Sequence, residues 1–113
     1  MEFLSDEWYL AANSALEGLD VGDVNIVVAH VSERQSHYIV VGDGRASVER
    51  EAHHAHVTLR QTSDTAEAIR EGSLSALTAI QEGLISVEGD IGCLMAAKPA
   101  LDAVDRALSS LTT

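Results

Sequence analysis

The chain has 113 residues, enough for one domain spanning 1–113 that buries roughly two-thirds of the surface its unfolded form exposes. Eighteen Asp and Glu against seven Lys and Arg give a formal charge of −11, which repels phosphate backbones and anionic headgroups and so excludes nucleic acid as a partner. One cysteine rules out an intramolecular disulfide, no apolar run approaches the ~20 residues of a membrane span, and the first residues lack a signal-peptide pattern, so a cytoplasmic chain without stable membrane insertion is expected.

The first predicted element is a helix capped by Ser5, with Asp6 and Glu7 in the turn where the helix dipole favours acids and Leu4 placed to staple onto Tyr9. Trp8, Ala12, Ala15, Leu16 and Leu19 recur at helical spacing, and Gly18 or Gly22 ends the helix. The run Val24 to Val31 is β-branched and almost continuously apolar, which predicts a central strand buried on both faces. His37 to Val41 returns as a hairpin strand, and Gly42-Asp43-Gly44 turns the chain into a third strand from Arg45 to Glu51. A fourth strand places Val57 and Leu59 on one face and His56, Thr58 and Arg60 on the other, so the four together read as an antiparallel meander with one wet face.

The stretch from Ser63 to Ile91 then supplies two short helices, a strand and a turn. Asp64 can cap the first helix and Gly72 end it; Ser73 can cap the next and Gly83 end that one. Leu84 to Glu88 reads as a fifth strand with Ile85 and Val87 inward, closed by Gly89-Asp90. Asp90 can cap a helix running to Ala97, and Pro99 suits the first turn of a last helix whose apolar stripe is Ala100, Leu101, Val104, Leu108 and Leu111. A sheet with one wet face buries the other against helices, so the expected fold is α+β: a five-stranded, mainly antiparallel sheet covered on one face.

The order "REGSLSALTAIQEG", "LISVEGDIG", apolar helix resembles the C-terminal half of the sterol carrier protein type 2 family, on Gly72, Leu74, Ala79, Gly83, Leu84, Ile85, Val87, Gly89 and Asp90. The opening "SDEW" is similar to the start of those domains, and the likeness extends loosely over nearly the whole chain. What the resemblance implies is non-catalytic, non-specific binding and transfer of an apolar ligand such as a fatty acid, acyl thioester or sterol-like lipid, without a cofactor. Two features depart from it: the acidic net charge, and an ending Ser110-Leu111-Thr112-Thr113 that is not a peroxisomal address.

At about 100° per residue, Leu74, Leu77 and Ile80 fall within an arc of about 120°. With Ile69, Leu84, Leu94, Met95, Leu101, Val104 and Leu108 they supply more aliphatic than aromatic surface, and such side chains adapt to irregular volumes. They read either as the lining of a lipid tunnel or as an ordinary core, and Trp8 as a core residue or part of that lining. A dry void of about 300 Å³ would cost about 7 kcal/mol, so a tunnel is expected to be occupied, partly collapsed or open to water.

The polar candidates are few. His53, His54 and His56 crowd one loop without a Cys to complete a metal site, and they read as solvated; His30 and His37 flank the hairpin loop and read as surface or rim histidines. Cys93 lies near a helix start, between neighbours that argue for burial. No nucleophile–base pair, metal-spaced cluster or phosphate loop gives an enzyme a footing, and no metal is expected. The alternative to a lipid carrier is a filled-core scaffold that makes a protein contact, such as a homodimer through the terminal leucine stripe.

Overall fold

A computed structural model describes residues 4–33, 35–52, 54–71, 73–74, 76–109 and 111. Strands β1 (Ile26–Val31), β2 (Ser36–Gly42), β3 (Arg45–Glu49), β4 (Val57–Gln61) and β5 (Ile85–Gly89) form one sheet in the order β3-β2-β1-β4-β5. Helices α1 (Asp6–Leu16), α2 (Ser63–Glu71), α3 (Ala76–Gln81), α4 (Ile91–Ala96) and α5 (Lys98–Ser109) complete the α+β fold.

Helix α1 begins where the sequence indicates. The Ser5 hydroxyl accepts a hydrogen bond from the Trp8 N–H at 3.1 Å, and the helix closes through Glu17 into Gly18, whose φ of 74° is the left-handed conformation a C-terminal cap uses. The β2–β3 hairpin is equally local in origin. Asp43 at φ 54° and Gly44 at φ 74° make a two-residue turn whose twist matches the strands, with Gly42 and Arg45 in register.

The expected four-strand meander stops after three. β1 pairs antiparallel with β2 and β2 with β3, but β4 lies on the far side of β1 and runs parallel to it. Alternation in Val57 to Gln61 determines which side chains face inward; it carries no information about the neighbouring strand. The chain between β1 and β4 includes the β2–β3 hairpin, and residues 50–56 then carry it from the β3 edge across to the other side of β1. His56 secures the entry: its N–H donates to the Val27 carbonyl at 2.9 Å, and its Nδ1 accepts from the Val27 N–H at 3.0 Å.

β1 was expected to be buried on both faces, but it is fully covered on one. Ile26 and Val28 are buried, whereas Val27 and Val31 on the opposite face are half-buried. Ala29 on that face is buried beside its register partners Tyr38 and Thr58. The inner face is the one that carries Ile26, Val28, Ile39, Val41, Ala46, Val48, Val57, Leu59 and Ile85, all buried.

The caps of the second half are partly redistributed. Thr62, not Asp64, caps α2 by accepting from the Thr65 N–H at 3.2 Å, and the Glu33 carboxylate accepts from the Ser63 N–H at 3.0 Å. Gly72 lies outside the described residues. Ser73, expected to cap the next helix, turns back to the preceding one and donates to the Ala68 carbonyl through both its N–H and its hydroxyl. α3 is shorter than the predicted Leu74 to Glu82 and ends in two reciprocal bonds, Leu84 N–H to Ala79 O at 2.8 Å and Gly83 N–H to Ile80 O at 3.1 Å, with Gly83 at φ 77°.

Gly89 is required by close approach. A Cβ there would stand 2.3 Å from the His56 carbonyl oxygen, and its φ is 110°. The next residue, Asp90, donates its N–H to that same carbonyl and caps α4 by accepting from the Cys93 N–H at 2.9 Å. Pro99 occupies the first turn of α5, as expected.

Candidate functional site

The inner sheet face is one wall of the space between sheet and helices. α1 packs on β3 and α5, α3 on β5, and α4 on β4 and α5. Trp8, on the inward face of α1, is only 3% exposed and meets Tyr9 edge to face at 5.4 Å; the Arg50 guanidinium covers the Tyr9 ring from 4.2 Å and pairs with Asp6. Asn13 ties the same helix to the sheet edge. Its carboxamide accepts from the Val48 N–H at 2.7 Å and donates to the Val48 carbonyl at 3.1 Å, so it replaces the missing neighbour of edge strand β3.

The apolar residues singled out in the sequence divide into three groups. Trp8 and Val104 are buried within the core. Ile69, Leu74, Ile80, Leu94, Leu101 and Leu108 are packed against the core yet only partly buried. Leu84 and Met95 are exposed, at 44% and 61%, and stand away from the inner cluster; the Leu77 side chain lies outside the described residues. Leu84 instead borders an open groove of about 430 Å³ with Val31, Ser32, Glu33, Arg60, Gln61, Thr62, Gly83 and Ser86. There the Arg60 side chain is paired with Glu88.

Two functional candidates differ most from expectation. His30 and His37, read from the sequence as surface or rim histidines, are half-buried and lie on the inner face of the sheet. Strand alternation puts His30 on the same face as Ile26 and Val28, and His37 on the face of Ile39 and Val41. They are register partners across β1 and β2, stacked with ring centroids 4.9 Å apart and planes 6° from parallel, and Trp8 meets His37 edge to face at 6.3 Å. His30 is also in register with Leu59, which in turn faces Val87. One row of the inner face thus reads His37, His30, Leu59, Val87.

Burial pushes the His30 imidazole down to about 4, and burial together with the adjacent His30 pushes His37 down to about 3. Both are neutral at pH 7. Both are half-buried on the inner face. The signal was present in the sequence: each histidine sits two residues from buried apolar neighbours of a single stripe.

The remaining polar candidates do not converge. His54 and His56 are near each other at 4.8 Å, but the His56 Nδ1 is committed to Val27, and His53 lies outside the described residues. Among the described residues no group of three or more His, Cys, Asp or Glu could hold a metal ion. Cys93 is half-buried rather than buried, with its sulfur 4.0 Å from the Asn25 carbonyl. The Asp105 carboxyl on α5 is pushed up to about 6, first by desolvation and then by the negative charge of Asp102.

A five-stranded, mostly antiparallel sheet of this order with its helices is the sterol-carrier fold. The sequence matches the SCP-2 sterol transfer family over residues 3–102, and the chain belongs to that family. No curated protein sequence matches it. Among solved structures, a crystal structure of sterol carrier protein 2 is 16% identical with a TM-score of 0.77, covering 98% of this chain and all of that one. A solution structure of a protein from Thermus thermophilus, described as possibly a sterol carrier protein, is 16% identical with a TM-score of 0.68, covering 97% and 90%. A sec-alkylsulfatase from Pseudomonas sp. is 20% identical with a TM-score of 0.50 over 79% of this chain, but the match takes in only 13% of that enzyme.

Proposed function

We propose that this chain is a non-catalytic carrier holding an apolar ligand, such as a fatty acid, acyl thioester or sterol-like lipid, between its inner sheet face and α2 to α5. The observation that carries the reading is the unequal packing of the two sides. The sheet's inner stripe is buried except at His30, His37 and Val87, whereas on the helices opposite it only Ala79, Ala97, Ala100 and Val104 are buried and the larger Ile69, Leu74, Ile80, Leu94, Leu101 and Leu108 reach the core yet remain partly buried. A close-packed core fills both sides alike. Family membership points the same way.

An acyl chain that buries about 300 Å² of apolar surface gains about 7.5 kcal/mol gross, and association costs bring that to micromolar or weaker affinity. One methylene more or less is worth only about 1 to 3 kcal/mol, so such a site selects by length and bulk rather than by detailed shape. Transfer to a membrane is less favoured than binding, because a charge of −11 is repelled by anionic headgroups.

The test is a native mass spectrum beside a denatured one. The carrier reading expects adducts of lipid mass in the first that vanish in the second. The competing reading is a filled-core scaffold that dimerises; it is favoured by Ile91 and Met95, both exposed one helical turn apart on α4. A lipid-free protein whose dimer fraction rises with concentration would replace the carrier by that scaffold.

A further inference from the structure

The two edges of the sheet differ in how they end. At β3 the Asn13 carboxamide takes both backbone groups of Val48, whereas among the described residues nothing bonds the outer edge of β5. The Asp90 N–H bonds to the His56 carbonyl one step beyond the Val57–Gly89 pair, so Ser86 and Glu88 turn their backbone groups to β4, and Ile85, Val87 and Gly89 turn theirs to the free edge. An unpaired edge is a template for another strand, and proteins block such edges with proline, lysine or a bulge. Ile85–Gly89 contains neither proline nor lysine, and its one charge, Glu88, is paired with Arg60. Ser86, Glu88 and Gly89 are exposed and Val87 is half-buried. Among the described residues the exposed large apolar side chains are Leu10, Leu84, Ile91 and Met95, and all but Leu10 flank this strand in the chain.

We propose that β5 is a dimerisation edge, on which two copies of this chain pair antiparallel about a two-fold axis at Val87 and join their sheets into one. The strand is self-complementary in that register. Val87 exchanges both backbone hydrogen bonds with the partner's Val87, Ser86 lies opposite the partner's Glu88, and Ile85 lies opposite the partner's Gly89. The end of α3, bonded to the Leu84 N–H, crowds the Ile85 side, and the residue that arrives there has no side chain. Leu84 comes beside the partner's Ile91 at both ends, which covers apolar surface that otherwise meets water. The neighbouring registers are worse. Centring on Gly89 sets Glu88 against the partner's Asp90, and centring on Ile85 runs each strand past Gly83 into α3. The pairing uses neither the space between helices and sheet nor the terminal leucine stripe, so it stands or falls independently of the carrier reading, and a lipid-loaded dimer satisfies both.

The test is analytical ultracentrifugation of the full chain, with amide hydrogen exchange on the same samples. A strand of 5 residues falls at the small end of specific interfaces, so half-dimerisation near about 100 μM is expected. Each copy carries a charge of −11, so the dimer should tighten as NaCl rises from about 0.05 to about 0.5 M. The Val87 N–H should gain protection as concentration rises, while the Ser86 and Glu88 N–H groups, bonded to β4, stay protected throughout. Ser86→Glu faces the partner's Glu88 twice and should weaken the dimer about three- to tenfold, and Ser86→Lys should tighten it. Leu10→Glu adds the same charge on α1, which packs at the opposite edge of the sheet, and should weaken it far less. A chain that stays monomeric to about 1 mM in high salt would overturn the proposal. So would a dimer whose Val87 amide gains no protection, or equal weakening by Ser86→Glu and Leu10→Glu.

Discussion

Single side chains hold this fold at positions where the backbone has no regular partner. Asn13 is the clearest. Its carboxamide satisfies both the N–H and the carbonyl of Val48 on the sheet edge, so Asn13→Ala leaves two backbone groups of β3 to find water under α1. The expected cost is about 1 to 3 kcal/mol, read as a lowered urea midpoint with an unchanged slope. Gly89 is the second. With a Cβ directed at the His56 carbonyl from 2.3 Å and a φ of 110°, Gly89→Ala must displace the β4–β5 rung that Asp90 also uses. A loss of about 3 kcal/mol or more is expected, seen as a large drop in Tm, whereas Gly44→Ala, with nothing near its Cβ, should lose only the smaller cost of a positive φ. The glycine at 89 was visible in the sequence as a turn signal. The carbonyl that makes it indispensable was not, since it belongs to a strand start 33 positions earlier.

At the scale of elements, what the sequence announced was local. The Ser5 and Asp90 caps, the Asp43-Gly44 turn, the Gly83 helix end and the alternation of β3 and β4 each depend on residues within a few positions of one another. What it concealed joins distant segments: β4 beside β1, Glu33 on the α2 terminus, Asn13 on β3, His56 on β1. The histidine pair falls between these cases, since the period of each strand gives its face but not its burial. That burial predicts a pH dependence. Between pH 6.5 and about 4 the unfolded chain holds protons at both histidines that the folded chain does not, so stability falls on acidification through this window. Each such proton tilts stability by about 1.4 kcal/mol per pH unit. Asp105 acts in the opposite sense below about 6, where the folded chain keeps a proton longer than the unfolded one, but it is one group against two. Tm should therefore fall from pH 7 to pH 4.5 in wild type, and the slope should be much reduced in a protein carrying both His30→Phe and His37→Phe. An equal fall in both proteins would place the acid sensitivity elsewhere.

The molecule as a whole combines a packed sheet and α1 with helices that bury Ala79, Ala97, Ala100 and Val104 but leave their larger aliphatic side chains only partly buried. Nothing in the sequence could separate a ligand-lined space from a filled core, because aliphatic stripes on helices are written the same way in both. Volume is the variable that separates them. Ile80, partly buried against the core from α3, is the place to change it. If a ligand occupies the space between helices and sheet, Ile80→Trp fills it without a large cost; in a close-packed core the same substitution costs about 1 to 3 kcal/mol or more. The direct measurement is saturable binding of an uncharged naphthylamine probe, displaced by a fatty acid, on wild type and Ile80→Trp side by side with their urea midpoints. The carrier account predicts displaceable binding in wild type and its loss in a variant of nearly unchanged stability. No displaceable binding in wild type, together with a strongly destabilised Ile80→Trp, would contradict it.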